Sequence, residues 1–262
     1  MTLSQTIKQM AHQQGFVAAG ITSTDRLQDL PYGWVADVGL LNHPTTELPE
    51  AKSVIMLVLH AWDRIFGLEI EDPGWKGYSL NSPDENLEEY YISYMVSHSK
   101  AWPIVSYLRE NGYKAQLSTS IPMKTTAIKC GLGQPGKNTL LVNPEYGPRL
   151  GLMAILTSAE LETDEPFTEN LCGDCTKCID ACPTKALTPY HVNIERCLTY
   201  AAENPGRTDL DEDVRELEKK FITRPTRNSY IECYICAEVC PGGARQRCAN
   251  RSLCADHHRH HS

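Results

Sequence analysis

Four cysteines fall within eleven residues of "CGDCTKCIDACPTKAL", at Cys172, Cys175, Cys178 and Cys182, and Pro183 follows the last. Three more recur in "CYICAEVCPGG", at Cys233, Cys236 and Cys240, again closed by a proline, Pro241. A chain that commits so many thiols to short loops must hold them in disulfides or around metal. Of eleven cysteines, only Cys130 precedes residue 166. The opening "MTLSQTIKQMAHQQG" reads as a polar amphipathic helix without the apolar stretch of an export signal. The longest apolar run, "SVIMLVLHAW", is too short to cross a bilayer. The expectation is a cytoplasmic protein away from membranes. In that reducing compartment metal ligation is a better reading of the cysteines than disulfides.

The first run has the Cys-x2-Cys-x2-Cys-x3-Cys-Pro spacing of bacterial ferredoxins, whose fourth cysteine ligates the other cluster. The second run keeps the x3-Cys-Pro ending but has one close ligand fewer. Two [4Fe-4S] clusters need eight thiolates; the runs supply seven, and Cys197 in "IERCLTY" is the natural eighth. The expected sets are Cys172, Cys175, Cys178 and Cys240 on one cluster, and Cys182, Cys197, Cys233 and Cys236 on the other. Cys248 and Cys254 could replace Cys197 and are by default free or packing thiols. Zinc sites read instead as separated C-x2-C pairs, without a crossing pattern. Cys130, at a helix end, reads as a small buried hydrophobe.

The shift in cysteine content divides the chain: residues 1–165 as an α/β (α+β) cofactor-binding domain, 166–250 as a ferredoxin-like module, and 251–262 as a His-rich tail. The acidic linker "ELETDEPFTEN" marks the first boundary. Upstream, "LSQTIKQMAHQQ" has helical periodicity, and "FVAAGIT", "SVIMLVLHA", "YKAQLST", "NTLLVN" and "LGLMAILTS" read as strands. A long helical region is predicted over 84–111, kinked or split at Pro103, and a short helix at "PMKTTAIKC". Downstream, one charged helix is expected at "DEDVRELEKKF"; apolar content there is so low that bound clusters should serve as the core. A net charge of −8 argues against nonspecific grip on a phosphate backbone.

"GLGQPGKN" contains Gly131, Gly133 and Gly136 in the dinucleotide-fingerprint spacing, but a helix precedes it and a strand follows. That order is the reverse of what pyrophosphate binding needs. Two readings stay open: a backbone-exposed turn in which Lys137 and Asn138 help hold a cofactor, or a plain helix stop. His12, at the edge of a possible corrinoid-carrier motif whose aspartate position is Met10, reads as a helix-surface histidine.

The stretch from "SIPMKTTAIKCGLGQPGKNTLLVNPEYGPRLGLMAILTSAELETDEP" through both cysteine runs resembles the superfamily of epoxyqueuosine reductases and reductive dehalogenases, most specifically over 113–240. The resemblance implies a nitroreductase-like cobalamin-binding domain followed by a two-cluster ferredoxin module. In it the clusters would reduce a corrinoid for a reductive reaction, with the cysteine sets ligating as above. Gly131, Gly133, Gly136, Lys137 and Asn138 would line the cofactor's edge, with Ser120 and Pro122 nearby. Epoxyqueuosine reductases carry an acidic proton donor upstream of the glycine turn, whereas "QLSTSIPMKTT" has no Asp or Glu. Tyr113 and Tyr146 are the substitute donors the resembling region offers. The helical repeat module of those reductases and the twin-arginine signal of respiratory dehalogenases have no counterpart in this sequence.

The expected function is therefore a cobalamin- and iron–sulfur-dependent reductase, fed by a low-potential ferredoxin or flavodoxin. Its substrate would be a small molecule, a corrinoid protein or a modified nucleoside, and its pocket open or completed by a second copy. The alternative is an electron-transfer protein that reactivates another protein's corrinoid or redox centre. A bare two-cluster ferredoxin would leave the first 165 residues without a task.

Overall fold

The computed structural model describes residues 1–35, 39–60, 92–223 and 232–243. Cys248, Cys254, the His-rich tail, the "GYSLNSPDEN" segment and the first part of the predicted 84–111 helix lie outside them.

Thr2 opens α1 (Leu3–Gln13) with a capping box, its side chain bonded reciprocally with Gln5. One helix face, Ser4, Ile7 and Ala11, is buried. Then come β1 (Ala18–Ser23), a 3₁₀ turn, the hairpin of β2 (Gly33–Val35) and β3 (Gly39–Leu41), and the one-turn α2 (Pro44–Glu47). β4 (Ser53–His60) is followed by α3 (Ile92–Glu110), β5 (Ala115–Ser118), α4 (Met123–Lys129), the paired β6 (Gln134–Pro135) and β7 (Leu141–Val142), and β8 (Leu150–Thr157).

Strands β1, β4, β8 and β5 form one sheet in that order, every neighbour antiparallel. β4 is buried along its length because both sheet faces are covered, which explains its unbroken apolar run. Ile55, Leu57 and Leu59 pack with Ile7, Ala11, Ile104, Val105 and Leu108 of the helices α1 and α3. Val54, Met56 and Val58 meet Leu27, Leu48, Ile121, Ala127 and Cys130 on the opposite face.

Three expectations shift. The helix continues through Pro103 as one element rather than splitting. The acceptor four residues earlier, on Ser99, belongs to an exposed residue, so water can replace the missing N–H. "NTLLVN" contributes only the two residues of β7, because its partner β6 ends at the Gly136 turn. The linker is also no free spacer. Asp164 accepts from Lys8 Nζ at 2.5 Å and from the Ile21 amide at 2.8 Å, and Arg26 donates to the Asp164 carbonyl at 2.8 Å. This covers the β1 edge of the sheet.

The downstream part carries α5 (Lys177–Asp180), the hairpin of β9 (Leu187–Thr188) and β10 (His191–Val192), α6 (Leu198–Glu203), α7 (Glu212–Phe221) and α8 (Ile235–Glu238). It has an apolar core of its own, contrary to the composition-based expectation. Leu198, Tyr200, Ala201, Ala202, Leu210, Val214 and Ile222 are buried together where α6 meets α7. The 22% charged composition hid this because α7 buries only one narrow stripe.

Candidate iron–sulfur and reductase site

The two cysteine runs fold alike. Each makes a one-turn helix, α5 or α8, that carries one cysteine (Cys178, Cys236) and ends before the x3 cysteine and its proline. The x3 cysteines then cross over. Cys172, Cys175, Cys178 and Cys240 line one cavity, together with Leu171, Pro241 and Gly242. Cys182 packs with Cys236, and Cys197 and Cys233 lie together against the α6–α7 core. Burial, then neighbouring thiols led by Cys233 and Cys197, push the Cys236 thiol up to about 12. Cys233 is raised by burial and then by Cys197 and Cys182, and Cys178 by burial and then mainly by Cys240.

All nine described cysteines are free, so no disulfide joins them. A single zinc ion gathers four donors within about 2.3 Å of one point. Among the described residues no three His, Cys, Asp or Glu side chains converge that tightly. Four thiols set around a cavity, as Cys172, Cys175, Cys178 and Cys240 are, suit the wider iron–sulfur cubane, whose positive iron offsets the mutual repulsion of the thiolates.

The first cavity is completed by the upstream domain: Lys137, Asn138 and Val142 line it too. Lys137 Nζ donates to the Gly173 carbonyl at 2.7 Å, between Cys172 and Cys175 in sequence. Asn138, only 4% exposed, directs Nδ2 at the Cys236 carbonyl at 3.4 Å, so it touches both cysteine groups. Arg149 donates to the Glu238 carbonyl at 2.9 Å. At Gly147 (φ +68°) a Cβ would stand 2.2 Å from the Gly242 carbonyl oxygen, and at Gly243 2.3 Å from the Tyr146 carbonyl carbon. The halves therefore meet backbone to backbone.

The glycines of this turn are tightly packed. A Cβ on Gly131 would meet the Glu165 carbonyl at 2.5 Å, on Gly133 the Val142 carbonyl at 2.2 Å, and on Gly136 the Asn138 side chain at 2.5 Å. These glycines are closed in by the chain itself. They bring Lys137 and Asn138 to the cysteines.

The C-terminal ends of β4 and β5 and the N-terminal end of β8 share one end of the sheet, since His60 pairs with Leu150 and Ser118 with Ala154. Tyr146 is at this end, its ring 5.6 Å from that of His60, and burial raises its hydroxyl pKa, helped by Glu145. Tyr113 precedes β5, which starts opposite Thr157 at the other end of the sheet. The two tyrosines are thus not brought together. The Ser120 carbonyl accepts from the Asn42 amide at 2.8 Å, and Pro122 caps α4.

Two residues at this end went unnoticed in the sequence. Lys124 stands in the first turn of α4, where the helix dipole disfavours a cation. Its side chain keeps exposed surface, while burial lowers its pKa against the upward pull of Cys197 and Cys236. The pull of Cys197 and Cys236 sets Lys124 on the side of the second cysteine group. The misplaced cation was the available signal. Glu47, on α2, accepts from Ser118 Oγ at 2.9 Å, and burial raises its pKa against that hydrogen bond. Nothing in its local sequence announces it.

Cysteine groups of this kind, docked on an α/β domain, define an iron–sulfur oxidoreductase. The family described as "4Fe-4S double cluster binding domain" matches residues 171–243. Epoxyqueuosine reductase of Leadbetterella byssophila is 35% identical over 257 residues, covering 91% of this chain and 79% of that protein. That of Synechococcus sp. (strain CC9605) is 29% identical over 265 residues, covering 93% and 77%. The chain belongs to the epoxyqueuosine reductase family. Among solved structures, the Bacillus subtilis epoxyqueuosine reductase, with its aspartate-bearing catalytic loop swung out of the active site, superposes with a TM-score of 0.63 at 22% identity, over 92% of this chain and 65% of that one. An epoxyqueuosine reductase bound to an epoxyqueuosine-modified tRNA stem loop gives 0.65 at 21% identity, over 92% and 65%. The catabolic reductive dehalogenase NpRdhA shares the fold at 0.52 and 18% identity, over 82% and 33%. The chain spans about two-thirds of the length of these solved epoxyqueuosine reductases. Among the described residues no helix is long and apolar enough to cross a membrane.

Proposed function

We propose that the chain is a corrinoid-dependent reductase that passes single electrons through two [4Fe-4S] clusters to reduce the epoxide of epoxyqueuosine in tRNA. The first cluster would be held by Cys172, Cys175, Cys178 and Cys240, the second by Cys182, Cys197, Cys233 and Cys236. Residues 1–165 would form the nitroreductase-like cofactor domain and 166–250 the cluster module. The observation that carries this reading is the crossover of the cysteines into two groups, one sealed by Lys137, Asn138 and Val142 of the upstream domain. Such a seam sets a relay against the domain that would do the chemistry.

For the corrinoid, the exposed Lys124 at the start of α4 is a cation that suits the amide and phosphate groups of such a cofactor. Ser120, Pro122 and Lys124 would meet that group, while Gly131, Gly133 and Gly136 would act from behind by positioning Lys137 and Asn138. When bound, cobalamin supplies a strongly nucleophilic, one-electron-addressable metal centre. The chain's own residues supply the thiol framework, the orientation of the cofactor edge and the exclusion of water at the seam. A low-potential ferredoxin or flavodoxin is the electron donor of this scheme.

The test is anaerobic purification followed by reconstitution with iron, sulfide and cobalamin. Support is a brown protein with eight irons that retains corrinoid bands through gel filtration and converts an epoxyqueuosine-bearing stem loop. Full iron without corrinoid retention would favour an electron-transfer protein serving another corrinoid enzyme.

A further inference from the structure

The loop after β5 poses a chemical problem for this reading. The reduction has to protonate the oxygen as its C–O bond breaks, yet "QLSTSIPMKTT" contains no carboxylate. The fold brings one there from a distant segment. Glu47 lies 71 positions before Ser118 and accepts from its Oγ at 2.9 Å. A second tie, from the Asn42 amide to the Ser120 carbonyl at 2.8 Å, holds the β3–α2 segment on the same loop. Buried Leu48 anchors α2 from below, and His43 fixes its start through Thr45 Oγ1 at 2.7 Å and the Thr24 carbonyl at 3.3 Å. The carboxyl is therefore held in place while remaining half-buried and reachable.

We propose that Glu47 delivers the proton to the departing substrate oxygen, entering from α2 in place of an acid on the loop itself; this rests on the reductase reading above. The step balances. Two electrons would come from the low-potential donor by way of the clusters; both C–O bonds of the epoxide break and a C=C bond forms between the two carbons. The Glu47 O–H bond breaks as the new O–H bond forms on that oxygen. A second proton from solvent lets that oxygen leave as water, and Glu47 is then reprotonated by solvent. The surroundings favour the acid form of Glu47. Glu50, three residues further on, is paired with Lys114, His43 is engaged by Thr45 and Thr24, and among the described residues no cation pairs with Glu47. Burial accordingly raises its pKa. Ser118 acts as the positioning residue.

The experiment uses the protein loaded with iron, sulfide and cobalamin, and an epoxyqueuosine-bearing tRNA stem loop. Glu47→Gln is expected to lower turnover by about 10²–10⁴-fold, the usual worth of a positioned acid, with KM for the stem loop unchanged. Glu47→Asp should restore part of the rate and shift the alkaline limb of the pH profile. A second readout is independent of turnover: infrared spectra followed through a pH titration should show a carboxyl band, absent in Glu47→Gln, that persists to higher pH than that of an ordinary carboxylic acid. A Gln variant turning over within a few-fold of wild type with an unchanged pH profile would overturn the proposal, and so would identical infrared spectra. If the wild-type protein fails to convert the stem loop, the reductase reading falls, and the infrared comparison still decides whether Glu47 holds the proton.

Discussion

Replacing Gly147 with alanine tests whether the two halves of the chain are locked through their backbones. Gly147 has φ +68°, a conformation that costs an L-residue about 1–2 kcal/mol. The new Cβ would lie 2.2 Å from the Gly242 oxygen and 2.7 Å from its carbon. Both are main-chain atoms, so relief requires moving the segment that follows Cys240 rather than rotating a side chain. Such overpacking adds about 1–3 kcal/mol, for a total of about 2–5 kcal/mol. Gly112→Ala is the matched control, because φ is +86° there and nothing lies within 4 Å of the new Cβ. It should cost only the backbone share, about 1–2 kcal/mol. Urea unfolding gives both values, and transfer of iron to a chelator reports on the cysteine cavity. Gly147→Ala should lose iron from that cavity faster than wild type, whereas Gly112→Ala should not. Equal destabilisation by the two variants, or equal iron loss, would refute the backbone lock.

Cys197→Ser should leave about half the iron of wild type, measured by colorimetric iron analysis; full iron would transfer the role to Cys248 or Cys254. Leu57→Ala, at a site with no exposed surface on the central strand, should destabilise the protein by about 2–5 kcal/mol in urea unfolding. The Glu47 carboxyl binds its proton more tightly folded than unfolded, so its contribution to stability falls as pH rises through and above the ordinary carboxylate range. Glu47→Gln should flatten that part of a stability–pH curve measured by thermal unfolding.

The cysteine framework was legible because ligand spacing is a local property: turn length and the x3-Cys-Pro ending set which thiols stay together and which cross. The core strand β4 and the helices α1 and α7 were legible for the same reason, since periodicity records burial directly. What escaped depended on contacts between distant segments. Glu47 reaches Ser118 only because β3 and α2 fold over the edge of β5. The glycines of "GLGQPGKN" satisfy a formal fingerprint, yet their space is filled by Glu165, Val142 and Asn138, and spacing alone carries no trace of those neighbours. The α6–α7 core was missed because composition averages over a helix whose apolar stripe is one residue wide per turn.

The tethered linker fixes where the cysteine-bearing segment begins. Residues 164–167 are fastened to the upstream domain by Lys8, Arg26, the Ile21 amide and the Ile128 carbonyl, none of which needs iron. The polypeptide leading to Cys172 thus starts from a fixed mooring, and a short loop closes with less entropic loss than a long one. Cys172, Cys175 and Cys178 thus follow closely on a fixed point, whereas Cys240 reaches the same cavity from the far end of the module, like a clasp over the seam.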